Sequence, residues 1–100
     1  MRVRFTPDAR IAVREMRRWW EQHREKAPEL FANELSDVVA KLRSGEDNER
    51  QRYAARGGHI IWRILMPRTR NHVYYRLDQA AREVEVLMIW NAVAGAGPEL

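Results

Sequence analysis

Cysteine is absent from the 100 residues, which excludes both a disulfide framework and a thiolate metal site. Long apolar runs are also missing. Stretches such as VLMIW at 86–90 fall far below the roughly 20 residues of a membrane-spanning helix. The opening MRVRFTP has no apolar core of a secretory signal, so the mature chain is expected to start there and to stay in the cytoplasm. Internal repeats and low-complexity tracts are lacking too. Acidic residues are missing locally: between Arg50 and Arg76 there are seven arginines and no Asp or Glu.

What is present describes one domain, residues 1–100, with a single core. Hydrophobic residues make up 45% and charged residues 32%, the balance of a water-soluble globular fold. The net charge is +4, and 16 of the 18 basic residues are arginine, the side chain suited to forked contact with carboxylate or phosphate. Most acids lie between Asp8 and Glu49, so the acid-free run points to an acidic partner rather than to a merely solvated face.

Arg2 to Phe5 alternates as a short strand. Thr6-Pro7-Asp8 then starts a helix, with Thr6 as the cap, Pro7 in the first turn and Asp8 at the positive end. Ala9, Ala12, Val13, Met16, Trp19, Trp20 and His23 form its apolar face. A second helix restarts after Pro28, carries Phe31, Leu35, Val38, Val39 and Leu42 on one stripe, and ends at Ser44-Gly45. The short link makes the two helices a hairpin. EDNERQRYAAR, residues 46–56, shows no periodicity and reads as a loop closed by Gly57-Gly58.

Three strands follow, His59 to Met66, Asn71 to Asp78 and Glu83 to Asn91, linked tightly enough to form an antiparallel meander. The expected fold is therefore α+β: an N-terminal strand, then a helical hairpin packed on an antiparallel sheet, β-α-α-β-β-β. In the last strand Val84, Val86, Met88 and Trp90 alternate on one side. Leu87 and Ile89, with Tyr74 and Trp62 or Ile60, are expected on the face away from the helices, an apolar surface that would mark a partner site. Trp90 is expected to anchor the last strand in the core, leaving residues 91–100 as a mobile tail lying across the sheet edge.

Little points to catalysis. His23, His59 and His72 sit on different elements without metal-ligand spacing, and neither a phosphate loop nor a nucleophile elbow occurs. No metal or other cofactor is expected. Metal-free RNA cleavage remains open, because Arg63, His72, Tyr74, Tyr75 and Arg76 are suitable residue types on neighbouring strands. Strand alternation puts His72, Tyr74 and Arg76 on one face and Tyr75 on the other. A tyrosine in such a strand also reads as packing, and the Trp19-Trp20 pair reads as core rather than as a stacking platform. A plain nucleic-acid-binding module would rest on charge alone, since no base-reading helix is evident.

Taken together, VRFTPDA, two helices, a GG turn, RILMPRTRNHVYYRLD and IWNAVAGAGPEL resemble a ParE-type toxin of the RelE/ParE superfamily over nearly the whole chain. The resemblance implies the toxin of a type II toxin–antitoxin module, held by a ParD-like antitoxin in a hetero-oligomeric complex. That complex would bind operator DNA through the antitoxin, and no membrane would be involved. Its implied antitoxin-binding residues are Trp62, Arg63, Arg68, Arg70, Tyr74, Arg76, Leu87 and Ile89. Its implied target-binding residues are Trp90, Asn91, Ala94, Ala96, Pro98 and Leu100. DNA gyrase is the implied target, with no catalytic residue. The alternative is a RelE-like, ribosome-dependent mRNA interferase using Arg63, His72 and Tyr74. The arginine and tyrosine that follow the last strand in such nucleases are missing from NAVAGAGPEL. Ala94 and Ala96 also depart from the arginines many ParE-like chains carry there.

Overall fold

The structure, a computed structural model, describes residues 1–93 and 95–100. The chain runs β1 (Arg2–Phe5), α1 (Pro7–His23), α2 (Leu30–Ser44), β2 (Gln51–Arg56), β3 (His59–Met66), β4 (Asn71–Asp78) and β5 (Glu83–Asn91). The strands form one mixed sheet in the order β1-β5-β4-β3-β2, with β1 parallel to β5 and the other neighbours antiparallel. Both helices pack on one side, α1 over β5 and α2 over β1 and β3. The α+β arrangement read from the sequence is the one observed.

Local chemistry explains the helix ends. Thr6 Oγ1 accepts the Ala9 N–H at 3.1 Å while Pro7 opens α1, so the cap sits where the sequence placed it. Gly45 ends α2 in the left-handed region, φ 80°, and its N–H donates to the Lys41 carbonyl. Phe31, Leu35, Val38 and Leu42 bury the α2 stripe against Ile64, Val73, Tyr75, Val84 and Val86 of the sheet. Truncating Phe31, which is fully buried, would cost about 3–5 kcal/mol.

Two expectations need correction. The stretch 46–56 is not all loop, because residues 51–56 form β2 and pair with β3. Gly57 and Gly58 take φ of 57° and 79°, the pair of positive values a two-residue hairpin turn requires, and so fold β2 back onto β3. As a sheet-edge strand with little burial, β2 has no apolar alternation to betray it. Second, β5 contains a bulge. Tyr75 pairs with Val86 but Tyr74 with Met88, which leaves Leu87 as an inserted residue. The insertion reverses the alternation, so Ile89 joins Val84 and Val86 in the helix-side core, and Trp90 is exposed rather than a core anchor. Trp62, also expected on the far face, packs against the same core.

Candidate functional site

The sheet face away from the helices carries two different surfaces. At the β1 end, Arg2 and Arg4 alternate with the core residues Val3 and Phe5 and reach across to β5. Arg2 binds Glu83 at 3.4 Å, and Arg4 binds Glu83 at 2.5 Å and also Glu85. From β4, Arg76 donates to the second Glu85 oxygen at 2.7 Å. Exposed ion pairs contribute little one by one, but this ladder occupies both carboxylates. It also ties up Arg76, which the sequence had offered to a partner.

The middle of the face is built by Tyr53, Arg63, His72 and Tyr74. A bulge in β2 inserts Tyr53, and its ring packs edge-on against Tyr74 with centroids 4.6 Å apart. The His72 ring meets Tyr74 from the other side at 5.9 Å. Arg63 donates from Nε to Gln51 Oε1 at 3.1 Å, and its guanidinium lies 5.5 Å from the Tyr53 centroid. Burial, and then the Arg63 charge, hold the His72 pKa below its ordinary value, so the imidazole is neutral at pH 7. Arg63, His72 and Tyr74 thus come together, as a nuclease reading needs. Tyr74, however, is only 1% exposed.

Tyr75 points the opposite way, as alternation required. Its hydroxyl donates to Asp47 Oδ2 at 2.7 Å, an oxygen that Arg50 also holds at 3.2 Å. The Arg50 guanidinium lies 4.2 Å from the Trp62 centroid. Burial, and then the Asp47 hydrogen bond and charge, push the Tyr75 phenol well above its usual range.

The C-terminal segment, expected as a mobile tail, is held by two hydrogen bonds. Trp90 Nε1 donates to the Ala96 carbonyl at 3.0 Å, and the Tyr53 hydroxyl donates to the Pro98 carbonyl at 2.8 Å. These two anchors carry the segment from β5 across to β2 with Pro98 buried and Leu100 half-buried. Gly97 lies so close to the Tyr53 ring that a Cβ would collide with it. Asn91 Oδ1 accepts the Val93 N–H at 2.8 Å. Ala94, singled out from the sequence, lies outside the described residues.

The β3–β4 turn, residues 67–70, is held from below by Glu34 of α2. Its carboxylate accepts from Arg68 N at 2.7 Å and from both Thr69 N and Oγ1 at 2.9 and 2.7 Å. The Arg68 and Arg70 side chains remain outside and, among the described residues, form no ion pair; the same is true of Arg52. Beside this turn, Leu65, His72 and Trp90 are cross-strand neighbours on β3, β4 and β5, and Leu65 is 46% exposed. Sequence reading missed Glu34, Asp47, Gln51 and Tyr53. The first two look like ordinary surface acids, and the last two lay in the presumed loop.

Among the described residues, no three His, Asp or Glu side chains gather as metal ligands, and no helix is long and apolar enough to cross a membrane. No protein-family model matches the chain, and a search of curated proteins finds no match either.

Proposed function

We propose that this chain is the toxin of a type II toxin–antitoxin module, neutralised by a ParD-like antitoxin and acting by poisoning DNA gyrase. One observation carries the antitoxin part: the row Leu65–His72–Trp90, exposed at Leu65 and Trp90 and half-buried at His72, lies beside Arg63, Arg68 and Arg70, none of which has a carboxylate partner among the described residues. An acidic arm with alternating apolar residues would cover the row and place carboxylates on those guanidiniums. Folding on contact lets such an arm wrap a large surface. Trp62, Ile89, Tyr74 and Arg76 drop out of the contact set, because the core, Tyr53 and Glu85 already hold them. Operator binding falls to the antitoxin in the complex. Gyrase as target rests on the ParE-like sequence pattern.

One observation favours a second reading, ribosome-dependent mRNA cleavage: Arg63, neutral His72 and Tyr74 converge, as a cation, a base and a phenol would. Tyr74 is sealed under Tyr53, which weighs against it. Induction in growing cells separates the two. Gyrase-linked DNA breaks with an SOS response and intact transcripts support poisoning. Cleaved transcripts that disappear with His72→Ala support the nuclease. Failure of a small acidic-tailed neighbour to co-purify on co-expression would remove the antitoxin part.

A further inference from the structure

Trp19 departs most from its expected place. It follows the α1 stripe in sequence but not in space, standing 43% exposed while Trp20 packs on the core. Its ring is stacked on His23 at 4.7 Å and 10°, with Trp20 edge-on at 5.8 Å. The Arg24 guanidinium carbon lies 4.9 Å from the Trp19 centroid and 5.5 Å from that of Trp20. A guanidinium drawn to aromatic rings keeps in-plane N–H groups for a further acceptor, and its position is already set.

Next to these rings a pocket of about 390 Å³ opens between the end of α1, the β3–β4 turn and the end of β5. Met16, Trp19, Trp20 and Val93 supply its apolar walls, and Val93 is 65% exposed. Arg24 and Arg70 supply its charge, and among the described residues no carboxylate lines the space. Arg70 occupies the left-handed region, φ 59°, where glycine or asparagine is the usual residue, so a long cation stands at a strained position of the turn. The carboxamides add both hydrogen-bond senses. Asn91 engages its Oδ1 with Val93 and keeps its Nδ2 donors, while Asn71 engages its Nδ2 with Thr69 and keeps an acceptor.

The geometry points to a site for a base-and-phosphate unit: a nucleotide whose phosphate meets Arg24 and Arg70 and whose base packs among the indoles, Met16 and Val93. Flat aromatic walls, paired guanidiniums and a carboxamide edge are what such a ligand requires, and the volume suits one nucleotide. A free nucleotide and one residue of a single strand offer the same chemistry. The site overlaps the toxin reading at Arg70, which an acidic arm would also claim, and at Asn91, which the ParE-like pattern assigns to the target.

Tryptophan fluorescence of the intact protein tests it, with 5′-AMP, adenosine, inorganic phosphate, a short single-stranded oligodeoxynucleotide and a glutamate-rich peptide as probes. Saturable binding of 5′-AMP or the oligonucleotide is expected, with adenosine and phosphate each at least about tenfold weaker. Oligonucleotide binding tighter than 5′-AMP identifies a strand as the source, and equal binding identifies the free nucleotide. Arg24→Gln and Arg70→Asn, the latter suited to positive φ, should each weaken binding by about tenfold or more with the melting temperature unchanged. Arg10→Gln, at an exposed position of α1 outside the pocket, should leave binding unchanged. Phosphate or the peptide binding as tightly as 5′-AMP, or indifference to both pocket variants, overturns the site.

Discussion

Glu34 and Thr69, 35 residues apart in sequence, are joined by two hydrogen bonds to one carboxylate oxygen: the Thr69 N–H and its hydroxyl both donate to Glu34 Oε1. With the Arg68 N–H on the other oxygen, α2 fixes the turn that displays Arg68 and Arg70. Glu34 is 7% exposed, so removing it leaves donors with little access to water. Glu34→Ala should therefore destabilise the fold by about 2–3 kcal/mol, and Glu34→Gln by less because one acceptor remains. Urea unfolding measures both. A loss below about 0.5 kcal/mol for Glu34→Ala would mean that the turn holds itself.

The C-terminal segment should detach without unfolding the sheet. Gly97→Ala forces a methyl group into the Tyr53 ring, and Tyr53→Phe removes the donor to Pro98. Both changes should speed proteolysis within residues 92–100 while altering global stability by no more than about 1–1.5 kcal/mol. Mass spectrometry of the early fragments reads the effect. Cleavage at the wild-type rate would show that neither contact holds the segment.

His72 predicts an acid-side loss of stability. Its folded pKa lies below the ordinary imidazole value of 6.5, so the unfolded chain binds the proton more readily than the folded one. Stability is unaffected by His72 well above pH 6.5 and falls as pH drops from there towards the folded pKa. His72→Gln should flatten the melting-temperature profile between about pH 7 and pH 5. Arg63→Gln removes the second cause of the shift, so the imidazole titration followed by NMR should move upwards. No movement would leave burial as the whole cause.

Tyr75 gives the opposite sign. Its folded pKa is raised above the ordinary 10.0, so its contribution is complete below pH 10 and is lost as pH climbs beyond it. The Tyr75 phenol should ionise only as the protein unfolds in alkali, and Tyr75→Phe should remove that step from the ultraviolet titration. The same variant frees one partner of Asp47 but leaves Arg50 in place, so a loss of about 1–2 kcal/mol is expected at neutral pH.

Much of the architecture was written locally. Thr6-Pro7-Asp8, the i, i+3, i+4 stripes and Gly45 each act within one turn of helix, so the start of α1 and the end of α2 follow from neighbours in sequence. The three C-terminal strands likewise announce themselves, β3 by its largely apolar run, β4 and β5 by alternation, and all three by short links. β2 escaped because an edge strand is paired on one side only and need not bury an apolar face, although Gly57-Gly58 was itself a hairpin signal.

The candidate site was less legible, for a definite reason. Residue types and alternation do place His72 and Tyr74 on one face and Tyr75 on the other, because side chains along a regular strand obey a period of two. A single inserted residue, Leu87, breaks that period, and no local preference marks where the partner strand accepts the insertion. The sequence alone therefore determined both helices, four of the five strands, their order and the acid-free run of arginines. Tertiary structure decided which of those arginines find carboxylates, that Trp90 leaves the core, and that the chain end closes over Tyr53. Those outcomes depend on contacts such as Arg76 with Glu85 and Glu34 with Thr69, whose partners meet only once the sheet and helices have packed.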